Sequence, residues 1–218
     1  MITGAALFIT SVTSAALTCA VVAWAAGGFS FARRPIGIVF LVIWFFWWLT
    51  IALYRRLGAT SKYSRRIVVM TLALIPVYLV MLVVAPWEYG HYTGPIPRDG
   101  PLSWVGLVLF AAGALLSAWA MRTLRGSFTM RLNVVSGQGL VTTGPYAIVR
   151  NPAYLGYIMA LFGLSLALSS LVGITLAFGA VIFLRLRIRR EEQMLLNEFG
   201  DQYREYMQRT RRLFPFVY

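Results

Sequence analysis

Acidic residues are scarce in this chain: 7 Asp and Glu stand against 20 Lys and Arg, for a net charge of +13, and charged residues of both signs make up only 12% of the 218. A water-soluble domain of this length could hardly be covered with so little polar surface, because 59% of the chain is hydrophobic and its mean hydropathy is +0.72. Cysteine is nearly absent. Cys19 stands alone within an apolar run, which excludes an intramolecular disulfide or a cysteine-based zinc site and leaves a small packing residue. Histidine also occurs once, as His91, and is expected in a loop. No internal repeat, low-complexity linker, nucleophilic triad, phosphate-cradling glycine loop or metal-ligand cluster is present at a defensible spacing, so no metal is expected.

Long apolar runs are what the chain does have. Candidate spans, each near the roughly 20 residues a bilayer core requires, run from Ala5 to Ala26, Ile36 to Leu53, Ile67 to Pro86 and Leu102 to Met121. A further block, Tyr154 to Leu184, is too long for one ordinary span, and its small, polar middle from Ala167 to Gly173 predicts a turn between two shorter antiparallel helices. The expectation is an all-α integral membrane protein, with about four transmembrane helices followed by a helical hairpin. The N-terminal run lacks the basic region and cleavage site of a secretory signal and is expected to be a retained span. Pro76 would kink the third span, while Gly113 and Ser117 have the small-xxx-small spacing that lets helices approach closely. The first two spans are aromatic and aliphatic all round, as in Trp44 to Trp48, and read as scaffold and lipid-facing wall.

The net charge of +13 invites nucleic acid as a partner, but the arginines gather at span ends rather than in one interleaved patch, so none is expected. Arg55, Arg56, Lys62, Arg65 and Arg66 fill the second connection, Arg122, Arg125, Arg131 and Arg150 the fourth, and the C-terminal tail is rich in arginine. By the positive-inside rule these regions and both termini belong in the cytoplasm, in a cell inner membrane. Arg33 and Arg34, on the outer side in this arrangement, break the pattern.

Two motifs carry the chemistry. Gly144-Pro145-Tyr146 leads through Arg150-Asn151-Pro152 to Tyr154 and Gly156, and it is answered by Glu191-Glu192-Gln193-Met194-Leu195 and by Phe199-Gly200 with Tyr203 and Tyr206. Pro152 suits the first turn of a helix and Asn151 its N-cap, which would set Tyr154 near the positive helix end. From Glu192 the positions Leu195, Leu196, Phe199, Tyr203 and Tyr206 recur at helical spacing, so that this carboxylate heads a packed stripe. Glu191 follows Arg187 by one helical turn, which permits an ion pair. If the hairpin returns to the face it left, Glu191 and Glu192 come back beside Arg150 and Tyr154.

Over residues 120 to 215 this motif pair resembles the isoprenylcysteine carboxyl methyltransferase family, whose signature reads Gly-Pro-Tyr, Arg-His-Pro-x-Tyr-x-Gly, Glu-Glu-x-x-Leu and Phe-Gly-x-x-Tyr. The resemblance implies a membrane methyltransferase using S-adenosylmethionine, with transmembrane scaffold helices over 1–121 and a cytoplasmic cofactor-binding loop, hairpin and C-terminal helix over 122–218 of one domain. It implies a cofactor set of Leu140, Val141, Tyr146, Asn151, Tyr154, Glu191 and Glu192, with Arg150 and Arg187 orienting an acceptor carboxylate. The acceptor is expected to be a lipophilic small molecule or lipid, methylated on a carboxylate, an amine or a thiol. Asn151 replaces the family's histidine and cannot titrate near neutral pH. A nicotinamide-dependent reductase of the sterol reductase type, which shares a similar motif pair, and a non-catalytic membrane scaffold are the alternatives. The terminal Leu213 to Tyr218 suits either a cover over the pocket or a dock on the membrane surface.

Overall fold

A computed structural model describes residues 4–57, 80–124 and 140–213. The elements are α1 (Gly4–Ala25), α2 (Phe29–Arg33), α3 (Pro35–Leu57), a π turn (Val80–Val84) continuing into α4 (Ala85–His91), α5 (Pro101–Leu124), a 3-10 turn (Gly144–Ala147), α6 (Pro152–Ala167), α7 (Leu171–Phe199) and α8 (Asp201–Arg209). α1, α3, α5 and α7 are long and apolar enough to cross a membrane, and α6 is a shorter apolar helix. The protein is thus an all-α integral membrane protein, and the spans expected from Ala5, Ile36 and Leu102 are helices. Most of the third expected span, including Pro76, lies outside the described residues. Its described end does not stop at Pro86 but runs on to His91. Proline inside a helix lacks an amide donor and crowds the carbonyl one turn back, and the wider π turn just before Pro86 makes room for it. His91 accordingly ends α4 instead of lying in a loop, its ring stacked 5.2 Å from that of Trp87.

α3 is not the uniform lipid-facing wall its composition suggests. Phe40, Trp44 and Trp47 are buried while Phe46 is exposed, so one face alone meets lipid. Trp47 packs edge-on against Phe110 of α5 at 5.5 Å. The indoles of Trp44 and Trp48 donate to Thr18 Oγ1 (3.1 Å) and Ser14 Oγ (2.8 Å), tying α3 to α1 with bonds that have no competing water in hydrocarbon. Cys19 is half-buried beside α3, its Sγ 3.6 Å from the Leu41 carbonyl, as a packing residue should be.

α5 and α6 form an antiparallel pair whose backbones touch. A Cβ on Gly113 would lie 2.5 Å from the Ala160 nitrogen, one on Gly156 2.6 Å from the Gly113 oxygen, and ones on Gly106 and Gly163 2.3 Å from the nitrogens of Ala167 and Phe110. Both helices repeat glycine two turns apart on the contact face, the small-residue packing that Gly113 and Ser117 announce. The expected turn is present between Ala167 and Leu171, with Ser169 at φ 50. The helix after it is longer than expected. α7 runs unbroken for 29 residues, past the apolar part and through the arginines to Phe199. Its amino end is capped twice, by Ser170 Oγ accepting from the Gly173 amide (2.8 Å) and by buried Glu88 of α4, which accepts from the amides of Leu171 (3.2 Å) and Val172 (3.3 Å). A carboxylate there also meets the positive end of the helix dipole.

Candidate functional site

At the other end of α7 the hairpin closes on itself. Because α6 and α7 are antiparallel, the start of α6 meets the last turns of α7, and the two motifs become neighbours. The helical stripe predicted to continue from Glu192 through Tyr206 breaks at Gly200, whose φ of 52 turns the chain into a separate α8. α8 folds back over the hairpin, and the segment after it runs parallel to 149–151: the Arg150 amide donates to the Arg211 carbonyl at 2.8 Å, in an isolated bridge of Val149 with Arg211. Val149, Leu155, Ile158, Leu184, Ile188 and Leu213 form the apolar floor.

Two carboxylates adjacent in sequence point into two different networks. Glu192 is the buried one. Its Oε1 accepts from Arg150 Nε (3.1 Å) and from Asn151 Nδ2 (3.4 Å), and its Oε2 accepts from Arg212 Nε (2.7 Å). The Arg150 and Glu192 side chains are only 8% and 4% exposed, so desolvation must be offset by this full set of charge-assisted bonds. Arg150 Nη1 also donates to the Met207 carbonyl (3.0 Å) and to that of Thr210. Asn151 stands at the start of α6 but does not cap it with its side chain. Its Nδ2 donates to Glu192 and to the Arg212 carbonyl (3.1 Å), partners that orient the side chain, and its Oδ1 accepts from no first-turn amide, which corrects the capping role expected for it.

Glu191 sits one residue back and faces the more open side. Its Oε1 accepts from the Tyr154 hydroxyl at 2.6 Å and from Arg187 Nε at 3.1 Å, the ion pair that the one-turn spacing allowed. The Arg187 and Glu191 side chains are 20% and 21% exposed. The Arg187 guanidinium lies 5.7 Å from the centre of the Tyr154 ring. Both site arginines therefore spend Nε on a glutamate. Among the described residues the terminal nitrogens of Arg187 and Nη2 of Arg150 take no hydrogen bond.

Tyr146 is buried, and its carbonyl accepts from the Tyr206 hydroxyl at 2.7 Å, which joins the Gly-Pro-Tyr turn to α8. Leu140 and Val141 are half-buried in non-helical backbone leading to that turn; most of the loop before them lies outside the described residues. Burial pushes the Tyr206 phenol up to about 12, a rise that the Arg150 charge partly opposes. Tyr203 is raised further, by burial first and by the charge of Glu192 second. Arg212 and Thr210 are the participants that sequence reasoning missed. Arg212 lies in a basic tail whose charge topology alone would explain, and nothing local distinguishes it from Arg211.

Fold and site together define a helical membrane protein with a carboxylate and guanidinium centre at the mouth of a hairpin. A sequence model of the phospholipid methyltransferase family matches residues 102–202. Protein-S-isoprenylcysteine O-methyltransferase A of Arabidopsis thaliana is 32% identical over 68% of this chain and 72% of its own length. The human protein-S-isoprenylcysteine O-methyltransferase is 33% identical over 53% of this chain and 42% of its own. The solved structure of the eukaryotic intramembrane Ras methyltransferase ICMT superposes with a TM-score of 0.53 at 21% identity, covering 84% of this chain and 74% of that one. The chain belongs to the protein-S-isoprenylcysteine O-methyltransferase family, and it is a membrane methyltransferase. That membership leaves the reductase and scaffold alternatives without support.

Proposed function

We propose that the protein methylates the carboxylate of an isoprenylated cysteine, with S-adenosylmethionine as donor, at the open end of the α6–α7 hairpin. The observation that carries this reading is the posture of Arg150 and Arg187: each is fixed through Nε, which leaves Nη2 of Arg150 and the terminal nitrogens of Arg187 for a further anion. A carboxylate acceptor is ionised at neutral pH, so Asn151 in the place of the family histidine costs the reaction nothing. The donor, when bound, would supply an electrophilic methyl group on a sulfonium for transfer to the acceptor oxygen, leaving a neutral thioether and requiring no proton transfer. The chain's part is to align and desolvate the two partners.

Leu140, Val141, Tyr146, Asn151, Tyr154, Glu191 and Glu192 are the residues proposed to hold the donor. The fit is chemical: aromatic faces and carboxylates suit a sulfonium and an ammonium, and non-helical backbone at Leu140 and Val141 can address an adenine edge. Glu192 Oε2 accepts one hydrogen bond and retains capacity for another donor. Residues 1–121 are proposed as scaffold and 122–218 as the methyl-transfer half of one domain, with the site and both termini on the cytoplasmic side of a cell inner membrane.

The family match over 102–202 favours a second reading, an amine of a phospholipid headgroup as acceptor. Deciding between them takes purified protein in detergent, radiolabelled donor, and either S-farnesylcysteine or phosphatidylethanolamine. Methylation of the first, with Arg187→Ala raising its KM about tenfold or more while donor affinity holds, is the expected result. Turnover of the amine alone, or failure of S-adenosylhomocysteine to bind, would overturn the proposal.

A further inference from the structure

The end of the molecule remote from the methyl-transfer site carries a second polar cluster that methyl transfer does not use. It gathers where α1, α4 and α6 finish and α3, α5 and α7 begin. Asp99 accepts from Arg34 Nη1 (2.7 Å) and from the Tyr89 hydroxyl (2.6 Å), so it is already shared. Glu88 is engaged by the amino end of α7. Both acids are thereby spent. Arg33 and Arg98 meet no carboxylate among the described residues; each lies over an aromatic ring, Phe29 at 4.2 Å and Tyr89 at 5.7 Å. Nε of Arg98 is buried without a hydrogen-bond partner. A buried charged donor left unsatisfied is costly, and an anion arriving from outside the chain would relieve it.

We infer that Arg98, flanked by Arg33 and Arg34, binds the phosphate of an anionic phospholipid in the leaflet opposite the methyl-transfer site. Guanidinium groups match phosphate oxygens in pairs, and three of them against the two spent acids leave the cluster net positive. Lipid is favoured over a free anion because the cluster is bordered by exposed aromatics, Trp24, Phe29 and Trp87, at the ends of apolar helices, where the ring belt of a membrane protein meets headgroups. The lipid is structural and is not the methyl acceptor, since Glu191 and Glu192 lie at the other end of α7. This also accounts for Arg33 and Arg34, the pair that breaks the positive-inside pattern: they answer to lipid phosphate as well as to topology.

Native mass spectrometry of the detergent-purified full chain tests the inference, with phosphatidylglycerol, phosphatidylcholine or inorganic phosphate added. Phosphatidylglycerol should be retained preferentially, with retention falling about fivefold for each arginine removed in Arg98→Gln and Arg33→Gln. Arg209→Gln, at the other end of the molecule, should retain it like wild type. Arg33 is exposed, so Arg33→Gln remains informative if Arg98→Gln fails to fold. Equal retention by the variants and wild type, equal retention of phosphatidylcholine, or competition by millimolar inorganic phosphate would each overturn it.

Discussion

Glu192 and Glu191 differ by one position in the chain and by an entire environment in the fold, and their amides should separate the two networks. Glu192→Gln leaves two guanidiniums facing a neutral group in a site with almost no water, and it should destabilise the protein by about 3 kcal/mol. Glu191→Gln, on the open side, should cost under about 1 kcal/mol and yet depress turnover. Thermal unfolding in detergent beside initial rates would distinguish them; equal melting points would mean that the Glu192 cluster does not hold the C-terminal segment. Tyr206 gives a pH signature. Its phenol is raised to about 12 by burial, so the unfolded chain ionises it first, near pH 10. The stability it contributes is complete below that pH and is lost as pH rises through about 12, with Tyr203 adding in the same direction. Tyr206→Phe should flatten part of this alkaline loss while costing about 1 kcal/mol at neutral pH for the bond to Tyr146. An alkaline profile identical to wild type would contradict that assignment.

Among the elements, the α5–α6 contact has little tolerance for added atoms. Gly156→Ala places a methyl group 2.6 Å from the Gly113 oxygen, a backbone atom that cannot step aside, and should cost about 2 kcal/mol or more. Gly179→Ala is the matched opposite. A Cβ there meets nothing within 4 Å, so the variant should gain about 0.5 to 1 kcal/mol from helix propensity alone. Melting temperatures moving in the same direction for both would refute the packing argument. Much of this level was legible beforehand. The hairpin turn at Ala167 to Gly173 showed as a small, polar interruption of an apolar run, and Gly113 with Ser117 showed as spacing. The continuity of α7 did not, because Arg185 to Arg190 look like the end of a span when the helix merely leaves the apolar zone and carries on. The break at Gly200 was hidden for the converse reason: the apolar period continues across it while the backbone turns. Asn151 read as a cap because local rules cannot know that a glutamate 41 positions away will orient its side chain.

For the whole molecule, the arrangement predicts that the loop after α4 and the helix α8 face opposite sides of the membrane. Single cysteines in a Cys19→Ala background, Tyr92→Cys and Glu205→Cys, should react with an impermeant maleimide from opposite sides of sealed vesicles; labelling of both from one side would rule the arrangement out. At this scale the sequence was informative about class and span positions, through composition and run length. It was silent on the tail, since the alignment of 210–212 with 149–151 is a long-range pairing between segments of no local periodicity.

α6 has 16 residues, which at the rise of an α-helix is about 24 Å, shorter than a hydrocarbon layer of roughly 30 Å. A helix that falls short of the bilayer draws its polar end below the headgroup plane, and under the proposed function this would set Arg150 and Asn151 at a depth that a prenyl-anchored carboxylate reaches without leaving the lipid. Under that proposal depth would act as a ruler, sorting acceptors by where their tails park the reacting oxygen, and shortening the tail should lower turnover more steeply than it lowers membrane partitioning.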